Sequence, residues 1–249
     1  MILLGFDTAT PSTVVGLRLA TGETLTLRDD PGAGERPGHA TRLLAMAGEL
    51  LSRAGVGWGA LDRIAVGLGP GTFTGLRVGV ATARGLAQSL SVGLAGVSSA
   101  QALAMRAYAE CGHSDVLAVI DARRGEAFAA SYRICGRTSI LELVAPRALA
   151  PEDLEDVLIE TGEVEREGGG GWLAVGDGAI RFREHLELAG AAVPEDHSPL
   201  HLVDARAICD LGEGARVASS IEEIVPDYRR RADAEIALER AGAVEASSR

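Results

Sequence analysis

The first hundred residues switch between the two-residue alternation of a strand and the three- to four-residue spacing of a helix. Residues 2–7, 13–18 and 24–27 read as three hairpin-linked strands, the last following the turn at Thr21-Gly22. After a Gly- and Pro-rich loop over 31–38, Leu43, Leu44, Ala47, Leu50, Leu51 and Ala54 recur at helical spacing and Gly55 closes the segment. Residues 63–68 predict a short apolar strand, 69–75 a glycine loop, and 76–90 a helix rich in Val, Ala and Leu. A strand over 93–97 and a helix to about residue 110, capped by Ser98 or Ser99, complete a βββαβαβα order.

The second half repeats that order. Residues 116–120 and 126–134 predict a strand pair around Arg123-Arg124-Gly125, with 140–144 as a third strand. Pro151, followed by Glu152, Asp153 and Glu155, opens a helix to about 159, because acids suit the positive end of the helix dipole. Residues 168–171 read as a flexible connector, followed by a strand over 172–175, a turn at Gly176-Asp177-Gly178 and a helix over 180–188. Two βββαβα halves predict a pseudo-duplicated α/β protein: one domain over 1–108, a second over 109–235, and a frayed tail over 236–249.

Composition narrows the chemistry. The 249 residues, 47% hydrophobic, suffice for cores that fold without covalent staples. Cys111, Cys135 and Cys209 are scattered and form no zinc spacing, which favours a reducing cytoplasm; residues 1–7 lack a basic n-region and read as a buried strand rather than a leader. A net charge of −11 disfavours autonomous binding to a phosphate backbone. The chain has no lysine, so a GxxxxGK[ST] phosphate loop and a Schiff-base lysine are both excluded. No HExxH or GxSxG occurs, and Ser198-Pro199 between His197 and His201 disfavours the helix that would align both rings on one ion.

Two constellations carry candidate chemistry. The loop Gly67-Leu-Gly-Pro-Gly-Thr-Phe-Thr-Gly-Leu-Arg77 can aim backbone amides and the Thr72 and Thr74 hydroxyls at an oxyanion, or can be a tight turn whose glycines let a helix pack closely. Asp7, with Thr8, Thr10 and Ser12 after it, can order water around a magnesium ion or simply fix a hairpin turn. Gly75, Gly79 and Ala83 then form a small-residue stripe that admits close approach, by the chain's own sheet or by a foreign helix.

Taken together, Ile2-Leu-Leu-Gly-Phe-Asp-Thr-Ala-Thr10, His39, Gly69-Pro-Gly-Thr-Phe-Thr-Gly-Leu-Arg-Val-Gly-Val80 and Gly85-Leu-Ala87 leading to Gly96-Val-Ser-Ser99 resemble the TsaB (YeaZ) family. Asp121-Ala-Arg-Arg-Gly-Glu126, Gly176-Asp-Gly-Ala179 and Pro226-Asp-Tyr-Arg-Arg-Arg-Ala-Asp-Ala234 extend the resemblance over nearly the whole chain. It implies an actin-like ATPase (ASKHA, ribonuclease H-like) fold of two related domains. It also implies a non-catalytic subunit that binds a TsaD transferase, with TsaE as a third component, to make threonylcarbamoyladenosine on tRNA. The helices 39–54 and 76–90 would then meet a partner through Leu43, Leu50, Gly75, Gly79, Thr82 and Ala83, with self-pairing when TsaD is missing. The metal-binding histidines of TsaD-like relatives fall at Ser99 and Leu103, which are unsuited to hold a metal. No cofactor is then required, and Asp7, Thr8, Gly69, Gly71, Thr72 and Thr74 are expected to retain weak ATP or ADP affinity. The competing expectations are an active small-molecule kinase of the same fold and a metal-dependent peptidase.

Overall fold

A computed structural model describes residues 1–32, 34–136, 139–162 and 171–229. The first half forms a five-stranded sheet from β1 (Leu3–Asp7), β2 (Thr13–Arg18), β3 (Thr24–Asp29), β4 (Arg63–Gly67) and β5 (Gly93–Val97), ordered β3-β2-β1-β4-β5. β1, β2 and β3 run antiparallel, whereas β1, β4 and β5 are parallel. A parallel pair needs a crossover, and α1 (His39–Arg53) and α2 (Phe73–Leu90) supply the two connections. The second sheet, from β6 (Asp115–Arg123), β7 (Glu126–Ile134), β8 (Ile140–Leu149), β9 (Trp172–Val175) and β10 (Ala191–Ala192), repeats this as β8-β7-β6-β9-β10. Here α4 (Leu154–Gly162) follows β8, and α5 (Asp177–Arg181) and α6 (Arg183–Leu188) join β9 to β10. Two sheets of this order and polarity make the actin-like, ribonuclease H-like fold.

The remaining helices, α3 (Ser99–Cys111) and α7 (Ala205–Gly214), exchange places. α3 follows the first sheet in sequence yet packs on β6 and β7, while α7 follows the second sheet and packs on β1, β2 and β4. Strand alternation shows why: Leu3, Val14 and Ala65 point toward Ile208 and Cys209, whereas Leu4, Phe6, Val15 and Ile64 point toward Leu43, Leu50 and Val80. In the second sheet Val116, Ala118, Ile120, Phe128 and Tyr132 share the middle core with Leu103 and Met105, and Leu117, Val119 and Ala129 face Leu154, Val157 and Leu186. The layers are therefore α1 and α2, first sheet, α7 with α3, second sheet, and α4 to α6. A division at 108/109 falls within α3 and cuts this shared middle core.

Close contact in the middle layer depends on small residues. A Cβ on Gly5 or Gly16 would lie 2.8 or 2.9 Å from Cys209 Sγ, so only glycine lets α7 seat on β1 and β2 at this depth. Burial pushes the Cys209 thiol up to about 12, which leaves it an inert core residue. Arg63 donates from Nη1 to Gly212 O and Glu213 O, both at 2.9 Å, satisfying carbonyls at the end of α7.

Most boundaries follow the sequence pattern, with informative departures. α2 begins at Phe73 rather than 76, β8 runs to Leu149, and Pro151–Asp153 form a 3-10 turn ahead of α4. The expected turn at Gly176-Asp177-Gly178 is instead the entry to α5, with Asp177 in its first turn. Of the connector 168–171 only Gly171 lies among the described residues, and the tail 236–249 lies outside them. No helix among the described residues is long and apolar enough to cross a membrane.

Candidate functional site

The two predicted constellations converge, but on each other. Asp7 ends β1 fully buried; its carboxylate accepts from Ala9 N at 2.7 Å and from Ser99 Oγ at 2.5 Å. Ser99 accepts in turn from Gly69 N at 3.2 Å, and its own amide donates to Gly69 O at 2.8 Å. Thr8 Oγ1 donates to Gly75 O at 2.7 Å, and Thr72 N donates to Ala9 O at 2.7 Å. The β1–β2 turn, the glycine loop and the start of α3 thus form a closed seam.

In this geometry the expected nucleotide-binding remnant of Asp7, Thr8, Gly69, Gly71, Thr72 and Thr74 is engaged largely with the chain itself. Asp7 and Thr8 are 0% and 1% exposed. The Gly69 and Thr72 amides serve Ser99 and Ala9 instead of facing a ligand. A Cβ on Gly71 would overlap Ala9 O, and one on Gly75 would overlap Thr8 O, so these glycines exist for backbone-to-backbone contact. Thr74 is exposed on the first turn of α2, away from the seam. Ser99 is sealed against Asp7, and Leu103 packs in the middle core, 1% exposed. His197 and His201 do not converge: His197 is exposed beside Glu195, and His201 is buried with Nδ1 3.2 Å from Gly176 N.

Burial raises the Asp7 carboxyl above the ordinary acid range, against the hydrogen bonds from Ser99 and Ala9 and the charge of Arg28. A raised folded-state value means stability that is full below the unfolded value of 3.8 and is lost as pH rises through the folded one. Asp7→Asn keeps an acceptor for the turn and carries no charge. The expected result is a urea midpoint at pH 7.5 equal to or above that of the parent, with a flatter pH dependence as pH rises from 4 to 7.5.

The interface residues expected from sequence also need correction. Leu43, Leu50, Gly75, Gly79 and Ala83 are buried in the chain's own core, and a Cβ on Gly79 would lie 2.5 Å from Thr8 Oγ1. The small-residue stripe faces the sheet, not a partner; only Thr82 is partly exposed. The outward side of the same two helices is mildly apolar: Leu44, 48% exposed, with Ala45 on α1, and Val78, Ala81 and Gly85 on α2. The sequence pattern groups Leu44 with the core-facing positions of α1, whereas it is exposed, and Gly85 sits where an added Cβ would meet nothing within 4 Å.

A cleft of about 240 Å³ opens elsewhere, lined by Thr10, Ser12, Arg28 and Asp30 from the first half and Asp177 and His201 from the second. Arg28 spans it, donating from Nε to Asp30 at 2.8 Å, from Nη2 to Ser12 Oγ at 2.5 Å and from Nη1 to Val203 O at 2.9 Å. At its second-sheet side Asp121 is held by Arg181 at 3.0 Å and Arg123 at 3.2 Å, and Asp177 accepts from Asp121 N at 2.9 Å. Sequence spacing does not single out these arginines: Arg28 pairs with nearby Asp30 but reaches Val203 175 residues away, and Arg181 lies 60 residues from Asp121.

Fold and seam define an actin-like protein whose turn and glycine loop are closed on each other. The family model described as "TsaD: tRNA N6-adenosine threonylcarbamoyltransferase" matches residues 35–225. A solved structure, YeaZ from Pseudomonas aeruginosa, is 30% identical with a TM-score of 0.73, over 91% of this chain and 99% of that one. The Escherichia coli tRNA threonylcarbamoyladenosine biosynthesis protein TsaB is 39% identical over 38% of this chain and 41% of its own length. The Haemophilus influenzae TsaB is 36% identical over 51% of this chain and 52% of its own length, so these two matches span about half or less of those relatives. The Bacillus subtilis TsaB is 28% identical over 94% of this chain and 96% of its own. The chain belongs to the TsaD-type family, in its TsaB (YeaZ) branch.

Proposed function

We propose that this chain is a non-catalytic subunit of a tRNA N6-adenosine threonylcarbamoyltransferase assembly, acting in the cytoplasm on tRNAs that read ANN codons. It binds and activates a TsaD transferase, with TsaE as a third component, and pairs with itself when TsaD is missing. The observation that carries this reading is the seam: the groups that would meet a nucleotide or an ion are spent on holding the chain together. Support comes also from the relatives named as threonylcarbamoyladenosine biosynthesis proteins. The outward side of α1 and α2 supplies the partner surface in this reading, through Leu44, Val78, Ala81, Thr82 and Gly85 in place of the buried stripe. With a net charge of −11, the chain reaches tRNA only through the assembly. No cofactor is required, and any ATP or ADP affinity of the closed loop is weak.

Omission tests this. In a reconstituted mixture of TsaD, TsaE, ATP, tRNA and threonylcarbamoyl donor, leaving out this chain is expected to lower modified-tRNA formation at least about ten-fold, or about 1.4 kcal/mol in the barrier. Product formed by this chain with neither TsaD nor TsaE would overturn the non-catalytic reading.

A further inference from the structure

Beyond α7 the chain runs back across the first sheet. Ala218 N donates to Leu94 O at 2.8 Å, so the segment starts along β5. Ile224, 6% exposed, packs into the core behind α2, and Arg84 grips the segment from Nε to Ile224 O at 2.9 Å and from Nη2 to Glu222 O at 3.0 Å. These contacts make a fixed anchor. Past it, residues 226–229 reach the entry of α2: Asp227 N donates to Leu68 O at 2.8 Å, and Arg77 Nε donates to Tyr228 Oη at 3.0 Å. The Tyr228 and Phe73 rings lie 5.1 Å apart, and the Arg77 guanidinium sits 3.7 Å over Phe73.

At 3.6 residues per turn the surface of α2 divides into three stripes. Gly75, Gly79 and Ala83 face the sheet, Val78, Ala81 and Gly85 face outward, and Phe73, Arg77 and Arg84 lie under the returning segment. The segment therefore borders the outward face along its length.

We propose that residues 226–229 are a clamp that holds the first turn of α2, and with it the loop 69–75, in the orientation the partner face requires. This rests on the partner reading above and adds its regulation. One backbone hydrogen bond at Leu68 ties the clamp to the junction of strand and loop; the stack of Phe73, Tyr228 and Arg77 ties it to the helix. Tyr228 is 45% exposed, so the tip opens without uncovering Ile224. A pre-ordered α2 entry lowers the entropy lost on association.

Hydrogen exchange on the full chain, paired with calorimetric titration by TsaD, tests the clamp. Tyr228→Ala and Arg77→Ala are each expected to speed exchange over residues 73–77 about five-fold, the double variant being no faster than either. Exchange in α1 stays unchanged, and each single variant weakens TsaD binding about five-fold. Unchanged exchange over 68–77 overturns the clamp, and faster exchange with undiminished TsaD affinity overturns its role in binding. Gly85→Arg, on the outward face, serves as the separate control. Undiminished TsaD affinity in that variant refutes the partner face itself, while the exchange rates still judge the clamp.

Discussion

Alanine at Gly75 is expected to destabilise the chain by about 2–4 kcal/mol, although the substitution raises helix propensity by about 1 kcal/mol. The added methyl would overlap Thr8 O, and backbone has no rotamer to move aside. Relief requires α2 to lift from the β1–β2 turn, which breaks the Thr8 Oγ1 bond to Gly75 O and then loosens the Thr72 N bond to Ala9 O. The urea midpoint should fall accordingly. An unchanged midpoint would mean that the turn and loop are not locked together. Arginine at Gly79 should fail for the same reason, by unfolding, and is therefore no probe of a partner surface.

Arginine at Gly85 should do the reverse. A Cβ there would meet nothing within 4 Å and the position is exposed, so the fold accepts a longer side chain. Exchanging a helix glycine for arginine adds about 0.8 kcal/mol of helix stability and raises the melting temperature by about 2–3 °C. At the centre of a helix-to-helix interface the same residue places a long cation against apolar atoms. An unpaired charge there costs several kcal/mol, so association with TsaD should weaken by at least about 100-fold. Stability and binding moving in opposite directions separates a surface effect from a folding defect.

Much of the architecture was legible because alternation and helical spacing are local signals. β2, β5, β7 and β9 fall where the pattern placed them. α7 carries no leucine stripe: its buried positions are Ala205, Ala207, Cys209 and Gly212 around one large residue, Ile208. The small Ala205 and Cys209 suit a helix that lies on Gly5 and Gly16, a fact that exists only in three dimensions. Asp204, whose side chain accepts from Arg206 N, was the available cue for its start.

The candidate site was legible in its residues but not in its direction. A glycine loop after a strand can cradle an anion or accept a neighbouring backbone, and the neighbour here, Thr8, is 67 residues from Gly75. The stripe on α2 was ambiguous for the same reason, since small residues admit any close surface. Helical phase alone places Gly85 about 120° from Gly79, off the small-residue stripe, but the identity of the buried side needed the sheet.

The most direct measurement is sedimentation of this chain with TsaD, parent and Gly85→Arg side by side. One faster boundary is expected for the parent mixture, two separate boundaries for the variant mixture, and a variant that melts no lower than the parent. A variant that still co-sediments with TsaD at micromolar concentration would contradict the assignment of α1 and α2 as the partner face.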